Sequence, residues 1–162
     1  MRERIVRSAA TEPKASYPTR RRSATQGCGV KKGFMAGIED DTRRNEDFRR
    51  VLYTGRYAQL VLMRVKPGEE IGEEVHEGVD QFFRFEAGTG IVVIDGLKHP
   101  VKDGTAVVVP SGARHNVVNT SKTADLKLYT IYSPPEHKDK LVRKTKREAQ
   151  ASPEEYDGRP TE

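Results

Sequence analysis

Short apolar segments alternate with turn residues between positions 57 and 132. Residues 57–65 (YAQLVLMRV) are almost continuously apolar and end at a Lys-Pro-Gly sequence. An apolar run of this length closed by Pro-Gly is typical of a strand buried on both faces. Residues 81–86 (QFFRFE) alternate instead, so Gln81, Phe83 and Phe85 share one face of a predicted strand.

Pairs of turn residues divide the rest of this region. Asp95-Gly96 and Asp103-Gly104 tolerate the positive φ of two-residue hairpin turns, so each pair predicts a hairpin. Further apolar segments at 91–94, 106–109, 117–118 and 126–132 predict additional short strands. Such strands, with no helix-period segment between them, predict an all-β sandwich or barrel.

The two ends of the chain lack this pattern. Residues 1–32 predict a basic disordered leader, and 137–162 predict a charged tail, with a short helix or loose segment near 138–151 and a disordered end. A single β domain then spans 33–136. Two parts of it stay open: 33–41 fits an edge piece packed on the body, and 46–53 fits either a strand or a short helix.

The net charge of +5 is concentrated in the leader. Residues 1–32 hold nine Lys/Arg and two acids, which leaves the rest of the 162-residue chain slightly acidic. A basic tail on a near-neutral body does not favour nucleic acid as the partner. The leader shares its Arg- and Ser-rich composition with organelle transit peptides, but we favour a disordered extension or a start codon placed too early.

Cysteine content and hydropathy indicate the cellular location. Cys28 is the only cysteine, so neither an intramolecular disulfide nor a Cys-based zinc site can form. No apolar run reaches the roughly 18 residues that a membrane-spanning helix needs. The leader lacks the apolar segment of a secretory signal. These features predict a reducing, cytoplasmic location.

Four side chains with lone pairs fall where a closed barrel would bring them together. Glu74 and His76 are two residues apart, so they point to the same side of an extended chain. Gln81 shares the face of Phe83, and His115 lies on the same alternation as Asn119. Buried polar groups need partners, and one divalent cation would suit all four.

The spacing of these residues resembles the first sequence motif of the cupins. It reads Gly68, five residues, Glu74-x-His76, four residues, Gln81, six residues, Gly88. Cupins usually have His in place of Glu74 and Glu in place of Gln81. The two exchanges leave the formal charge of the donor set unchanged, and two His with one carboxylate are the donor types of the facial triad that favours Fe(II).

The second cupin motif is matched at every defined position. It reads Gly104, five residues, Pro110-x-Gly112, two residues, His115, three residues, Asn119. The region from EEVHEGVDQFFRFEAGTG to LKLYTIYSPP also resembles small single-domain bacterial cupins that are commonly labelled mannose-6-phosphate-isomerase-like. That label rests on similarity of fold and demonstrates no activity.

The resemblance implies a specific architecture and cofactor. The expected fold is a cupin-type double-stranded β-helix, or jelly-roll barrel, with disordered termini. Glu74, His76, Gln81 and His115 would hold Fe(II), Mn(II), Ni(II) or Zn(II), with Gln81 binding weakly or orienting a water. Relatives commonly dimerise by exchanging or pairing terminal strands, so we expect a homodimer.

Four further residues are candidates for the substrate pocket. Phe83 and Phe85 would form core or pocket wall, and Arg114 would hold an anionic substrate or point outward into solvent. Tyr129 is the fourth candidate. Tyr129 and Tyr132 alternate onto opposite faces of one strand, so at most one of them sees the interior.

Three of the four ligand assignments have a simpler alternative. Glu74 would be an exposed loop acid, Gln81 would complete a strand end, and His115 would be a hydrogen-bonded core histidine. The remaining histidines, His99 and His137, lie beside prolines and predict surface positions.

The leading functional prediction is a metal-dependent enzyme of isomerase or dioxygenase type. Its ligand would be a small oxygen-rich molecule such as a sugar derivative, with the ion acting as a Lewis acid. The residue pattern assigns no catalytic residue. The first alternative is a non-catalytic module that binds a small ligand, and the second is a nucleic-acid-linked protein that acts through the leader.

Overall fold

A computed structural model describes residues 32–152 and 155–162, which form two antiparallel sheets. The helices are α1 (Ile38–Arg44) and α2 (Lys146–Ala151). The strands are β1 (Arg49–Thr54), β2 (Gln59–Val65), β3 (Asp80–Ala87), β4 (Thr89–Ile94), β5 (Leu97–Lys102), β6 (Ala106–Val109), β7 (His115–Asn119), β8 (Leu126–Ser133) and β9 (Val142–Arg143). The larger sheet has the order β6-β3-β8-β2-β1-β9 and the smaller β5-β4-β7. The predicted all-β barrel class is confirmed.

The core lies between the two sheets. On β8 the inward residues Leu126, Leu128, Thr130 and Tyr132 are fully buried and alternate with residues that are more exposed. Strand β2 departs from alternation, because three successive residues at 61–63 are all buried. A near-continuous apolar sequence is what a strand covered on both faces requires.

The two Asp-Gly pairs behave differently. Asp95 and Gly96 have φ values of 46° and 83°, and they join β4 to β5 as the predicted hairpin. Gly104 also has a positive φ of 83°, but the strands on either side of Asp103-Gly104 belong to different sheets. The hairpin prediction is therefore wrong there, since an Asp-Gly turn fixes a local reversal and not the partner of the next strand.

The segment before the barrel is helical at one point. Residues 38–44 form α1 where the sequence predicts an edge piece. The helix has acids in its first turn and arginines in its last, which complements its macrodipole. Two i,i+4 ion pairs, Glu39–Arg43 and Asp40–Arg44, measure 3.1 Å each. The open choice at 46–53 resolves as a strand, β1.

The C-terminal segment packs against the barrel, where the sequence predicts a disordered end. Strand β9 pairs with β1, and the last residues return to the same strand. The Thr161 amide donates to the Thr54 carbonyl at 2.8 Å, and the Thr54 amide donates to Thr161 Oγ1 at 2.9 Å. Hydrogen bonding of this kind needs no apolar pattern, so the sequence gives little sign of it.

Two other sequence predictions concern the leader and the membrane. The predicted leader lies, apart from Lys32, outside the described residues. Across 32–152 and 155–162, no helix is long and apolar enough to cross a membrane.

Candidate metal centre

Backbone pairing brings the two motif blocks together. Glu74 and His76 lie on the extended loop between β2 and β3, while His115 begins β7. Glu74 and His115 form an isolated antiparallel bridge, in which each amide donates to the other residue's carbonyl at 2.9 Å. Gln81 is the second residue of β3. The fold therefore places the four predicted ligand residues at one end of the sheets.

The side chains of these residues converge. Glu74, His76 and His115 each offer a ligand atom, and the three atoms lie within 4.8 Å of one another. Gln81 Oε1 lies 2.9 Å from His115 Nε2. Gln81 and His115 are only 1% and 3% exposed. This cluster could hold a metal ion.

The hydrogen bonds of His115 suit such an ion. Its Nδ1 lies 3.1 Å from the Ala113 carbonyl, which can only accept, so Nδ1 carries the proton. In the neutral ring, Nε2 then presents a lone pair to Gln81 Oε1, a second acceptor. The Gln81 amide nitrogen donates to Thr130 Oγ1 at 3.1 Å, which keeps Oε1 turned toward the histidine. A cation bound by both lone pairs resolves this pairing of two buried acceptors.

Glu74 is held as a carboxylate. Burial alone would raise its pKa, but the approach of His76 and the charge of Arg49 outweigh burial and lower the pKa. The Arg49 Nη2 atom lies 3.5 Å from Glu74 Oε1. An ionised oxygen donor is the form that a divalent cation binds.

His76 lies between two carboxylates. Its Nε2 is 3.4 Å from Glu74 Oε2, and its Nδ1 is 3.3 Å from Glu136 Oε1. Burial lowers the pKa of this imidazole, but hydrogen bonds and charge from Glu136 and Glu74 raise it to about 9. An imidazole binds a metal only through an unprotonated nitrogen, so an ion at this position would take the place of the Nε2 proton while Glu136 orients the ring.

The predicted pocket residues occupy different environments. Phe83 lies beside the site, with its ring centroid 6.1 Å from that of His115. Phe85 is fully buried in the core and packs on Phe83 at 6.3 Å. Tyr129 instead contacts Phe82 on the opposite face of the sheet, at 6.2 Å. Arg114 is exposed and pairs with Glu73 at 2.9 Å, so it points away from the cluster.

Tyr132 is the tyrosine that faces the interior. Its ring is perpendicular to those of His76 and His137, at 5.6 Å and 4.9 Å. The hydroxyl is buried and makes no hydrogen bond to any described residue. The Gln81 side-chain amide is near enough to affect the pKa of this hydroxyl. Burial raises that pKa, so Tyr132 stays a protonated donor. The sequence analysis selected Tyr129 as the pocket candidate, whereas the alternation of β8 turns Tyr132 inward.

The two remaining histidines have different surroundings. His99 is exposed on β5, as predicted for a surface residue. His137 is 8% exposed, so the surface prediction is wrong for it. The Gln59 amide holds it inside: its nitrogen donates to the His137 carbonyl at 2.6 Å, and its oxygen accepts from the His137 amide at 2.9 Å.

A cavity of about 290 Å³ opens beside Glu74 and His76. Its walls come from β1, from the loop after β8 and from α2, and they include Arg49, Glu136, His137 and Lys146. None of these residues belongs to either sequence motif. Only the folded structure reveals them.

Comparison with known proteins identifies the family. A protein-family model described as a cupin domain matches residues 61–132. The uncharacterized protein YrkC of Bacillus subtilis (strain 168) is 45% identical over 127 residues, which are 75% of this chain and 68% of YrkC. The crystal structure of BH2720 from Bacillus halodurans is 41% identical, with a TM-score of 0.72, covering 77% of this chain and 98% of that one. The chain belongs to the cupin superfamily.

A further relative of this cupin has a name that refers to a ligand. The oxalate-binding protein of Thermotoga maritima is 30% identical over 69 residues, which are 43% of this chain and 56% of that protein. The cupin-domain match begins in β2 and ends at Tyr132 in β8. It therefore includes Glu74, His76, Gln81 and His115, and the cluster that could hold a metal ion lies within the part of the chain that defines the family.

Proposed function

We propose that this cupin binds one divalent metal ion and acts as a metal-dependent enzyme on a small oxygen-rich molecule such as a sugar derivative. Glu74, His76 and His115 would hold the ion, with Gln81 as a weaker fourth ligand. The observation that carries this proposal is the convergence of three ligand atoms to within 4.8 Å. Isomerisation and oxygenation both fit such a centre.

The donor set limits the identity of the ion. Two imidazoles, one carboxylate and one amide oxygen suit Fe(II), Mn(II), Ni(II) or Zn(II), and two His with one carboxylate are the donor types that favour iron. The ion would supply Lewis acidity toward a carbonyl or enediolate oxygen of the ligand.

The surrounding side chains would position the ligand and the donors. The Tyr132 hydroxyl would donate a hydrogen bond to a ligand oxygen, since it is buried and makes no hydrogen bond to any described residue. Glu136 would fix the ring of His76 through Nδ1. Phe83 would shield the inner side of His115 from water.

A relative supports an oxygen-rich ligand. One of the proteins compared above is named an oxalate-binding protein, and oxalate is a small molecule with oxygen donors. The likeness to cupins labelled mannose-6-phosphate-isomerase-like stays a prediction, as do the homodimer and the cytoplasmic location.

Elemental analysis tests the proposal directly. Protein purified without chelator or metal-affinity tag is expected to carry about one equivalent of a single divalent transition metal, given the one cluster of suitable donors found in residues 32–152 and 155–162. An oxygenase should then consume O₂ and lose activity on chelation of iron, whereas an isomerase should exchange substrate C–H protons with solvent deuterium. A metal-free protein that also fails to bind added Fe(II), Mn(II), Ni(II) or Zn(II) would refute the proposal.

The alternative is a binding module without turnover. The Glu74 carboxylate of the cluster and the neighbouring Glu136 carboxylate both lie within 3.4 Å of His76. Neither carboxylate is therefore free to act as a general base. Such a module would be stabilised by its ligand with no loss of that ligand over time. Ligand consumption by the metal-loaded protein would exclude it.

The amide at position 81 offers a test of the fourth ligand. Gln81→Glu is expected to tighten binding of Mn(II) by about tenfold, because a carboxylate oxygen is a better donor than an amide oxygen. Titration calorimetry of the full chain measures this. The control is Thr123→Glu in the exposed loop between β7 and β8, which adds a carboxylate outside the cavity lining and should leave the affinity unchanged. Unaltered affinity in a folded Gln81→Glu variant would remove Gln81 from the ligand set.

A further inference from the structure

The side chain of Arg49 has donors without acceptors. It is 11% exposed, and its one polar contact among the described residues is the 3.5 Å approach of Nη2 to Glu74 Oε1. Its buried Nε atom has no hydrogen-bond partner in that part of the chain. A guanidinium carries five N–H donors in a planar fork that matches a carboxylate. Glu74 therefore contacts only one of the three guanidinium nitrogens of Arg49.

Strand β1 directs Arg49 toward the cavity. Successive residues of a strand face opposite sides, and Arg49 lines the cavity beside Glu74 and His76. The next residue, Arg50, is 46% exposed on the other face of the strand, where it pairs with the largely buried Asp47. The Phe48 ring lies 5.8 Å from the Arg49 guanidinium carbon. Arg49 therefore lines the cavity and Arg50 does not, so Arg50 is a suitable control residue.

A second cation faces the same space. Lys146 of α2 also lines the cavity, with its side chain 23% exposed and Nζ 3.6 Å from Glu70 Oε1. Three acids line the cavity as well, namely Glu74, Glu136 and Glu155. Glu70 offsets the charge of Lys146, so with a divalent ion bound and the imidazoles neutral, the ion and Arg49 balance the three acids of the lining. A ligand carboxylate beside Arg49 would then meet a guanidinium that Glu74 engages at only one nitrogen.

We propose that the cavity binds a small organic acid whose carboxylate is received by Arg49, with Lys146 contributing at longer range. This inference rests on the proposed function, because the other oxygens of the acid would face the Glu74–His76 side of the cavity. The cavity volume of about 290 Å³ is at the lower end of small-molecule sites, which fits a metabolite of few atoms. A neutral polyol would leave the guanidinium donors without an anionic acceptor.

Binding measurements on the full chain test the inference. Calorimetry with Mn(II)-saturated protein would compare lactate and pyruvate with the neutral analogue lactamide, and both acids should bind while lactamide binds at least about tenfold more weakly. Arg49→Gln should weaken binding of the acids by about 30-fold or more, since it removes the charged hydrogen-bond donor of the ligand carboxylate. Arg50→Gln, the matched control, should change it less than about twofold.

The outcomes separate the two proposals. Metal affinity measured in the same samples decides the proposed function, whether or not any acid binds. If the protein holds metal but binds neither acid, or binds lactamide equally well, the carboxylate inference is overturned and the metal proposal stands. If Arg49→Gln binds the acids like wild type, or if inorganic phosphate binds more tightly than either acid, the assignment is also overturned. If Arg49→Gln weakens metal binding without changing acid affinity at saturating Mn(II), Arg49 is a positioning residue for Glu74 alone.

Discussion

Replacing His115 by alanine is expected to abolish retention of metal by the purified protein. His115 Nδ1 is fixed by the Ala113 carbonyl, which directs Nε2 toward the other donors. The bridge to Glu74 also makes His115 the link between the two motif blocks. Losing one of three strong donors should lower metal affinity by on the order of 100-fold. Elemental analysis after identical purification measures the loss.

The control for this variant is His99→Ala. His99 is exposed on β5, so its removal should leave the metal content at the wild-type level. His115→Gln serves as a second variant, because the amide fills more of the buried volume if the alanine form unfolds. Equal metal content in wild type, His115→Ala and His99→Ala would remove His115 from the site.

Gly88→Ala is expected to destabilise the fold by about 3 kcal/mol or more. Gly88 has a φ of +87°, and a Cβ there would overlap the Asp125 carbonyl oxygen and lie 3.0 Å from Leu126 Cα. Both are backbone atoms, so neither can rotate aside. The substitution adds a steric clash to a conformation that side chains disfavour. Chemical denaturation gives the free energy of unfolding.

Gly96→Ala isolates the conformational part of that cost. Gly96 has a φ of +83°, but no atom lies within 4 Å of a Cβ built there. Its substitution should therefore cost about 1 kcal/mol, the penalty of a positive φ alone. Equal losses for the two variants would show that the close approach at Gly88 relaxes freely.

The parts of the fold that could be predicted from the sequence are those fixed by local pattern. The burial of residues 61–63 follows from a continuous apolar run, and the β4–β5 reversal follows from Asp95-Gly96. The two motifs indicated which residues would meet, although the alternation alone did not say that a backbone bridge joins Glu74 to His115. The spacing of residues along a strand sets the direction of their side chains, which is why the ligand cluster could be predicted from the sequence.

Other features depend on contacts between distant segments. Arg49, Glu136 and His137 reach the cavity from β1 and from the loop after β8, and no periodicity marks them. Tyr129 and Tyr132 differ only in parity along one strand, and which face is inward depends on pairing with β3 and β2. The C-terminal end is held on Thr54 by the main chain and the hydroxyl of Thr161, and hydrogen bonds from a single residue leave no periodic signal in the sequence.

The cavity wall and the donor atoms of the cluster come largely from different stretches of the chain. Arg49, Glu136, His137 and Lys146 all lie outside residues 61–132, the span shared with the cupin domain. Two of them also contact the cluster, Arg49 at Glu74 and Glu136 at His76. Sequence variation in the flanking segments would therefore change the cavity wall and the setting of the donor atoms together.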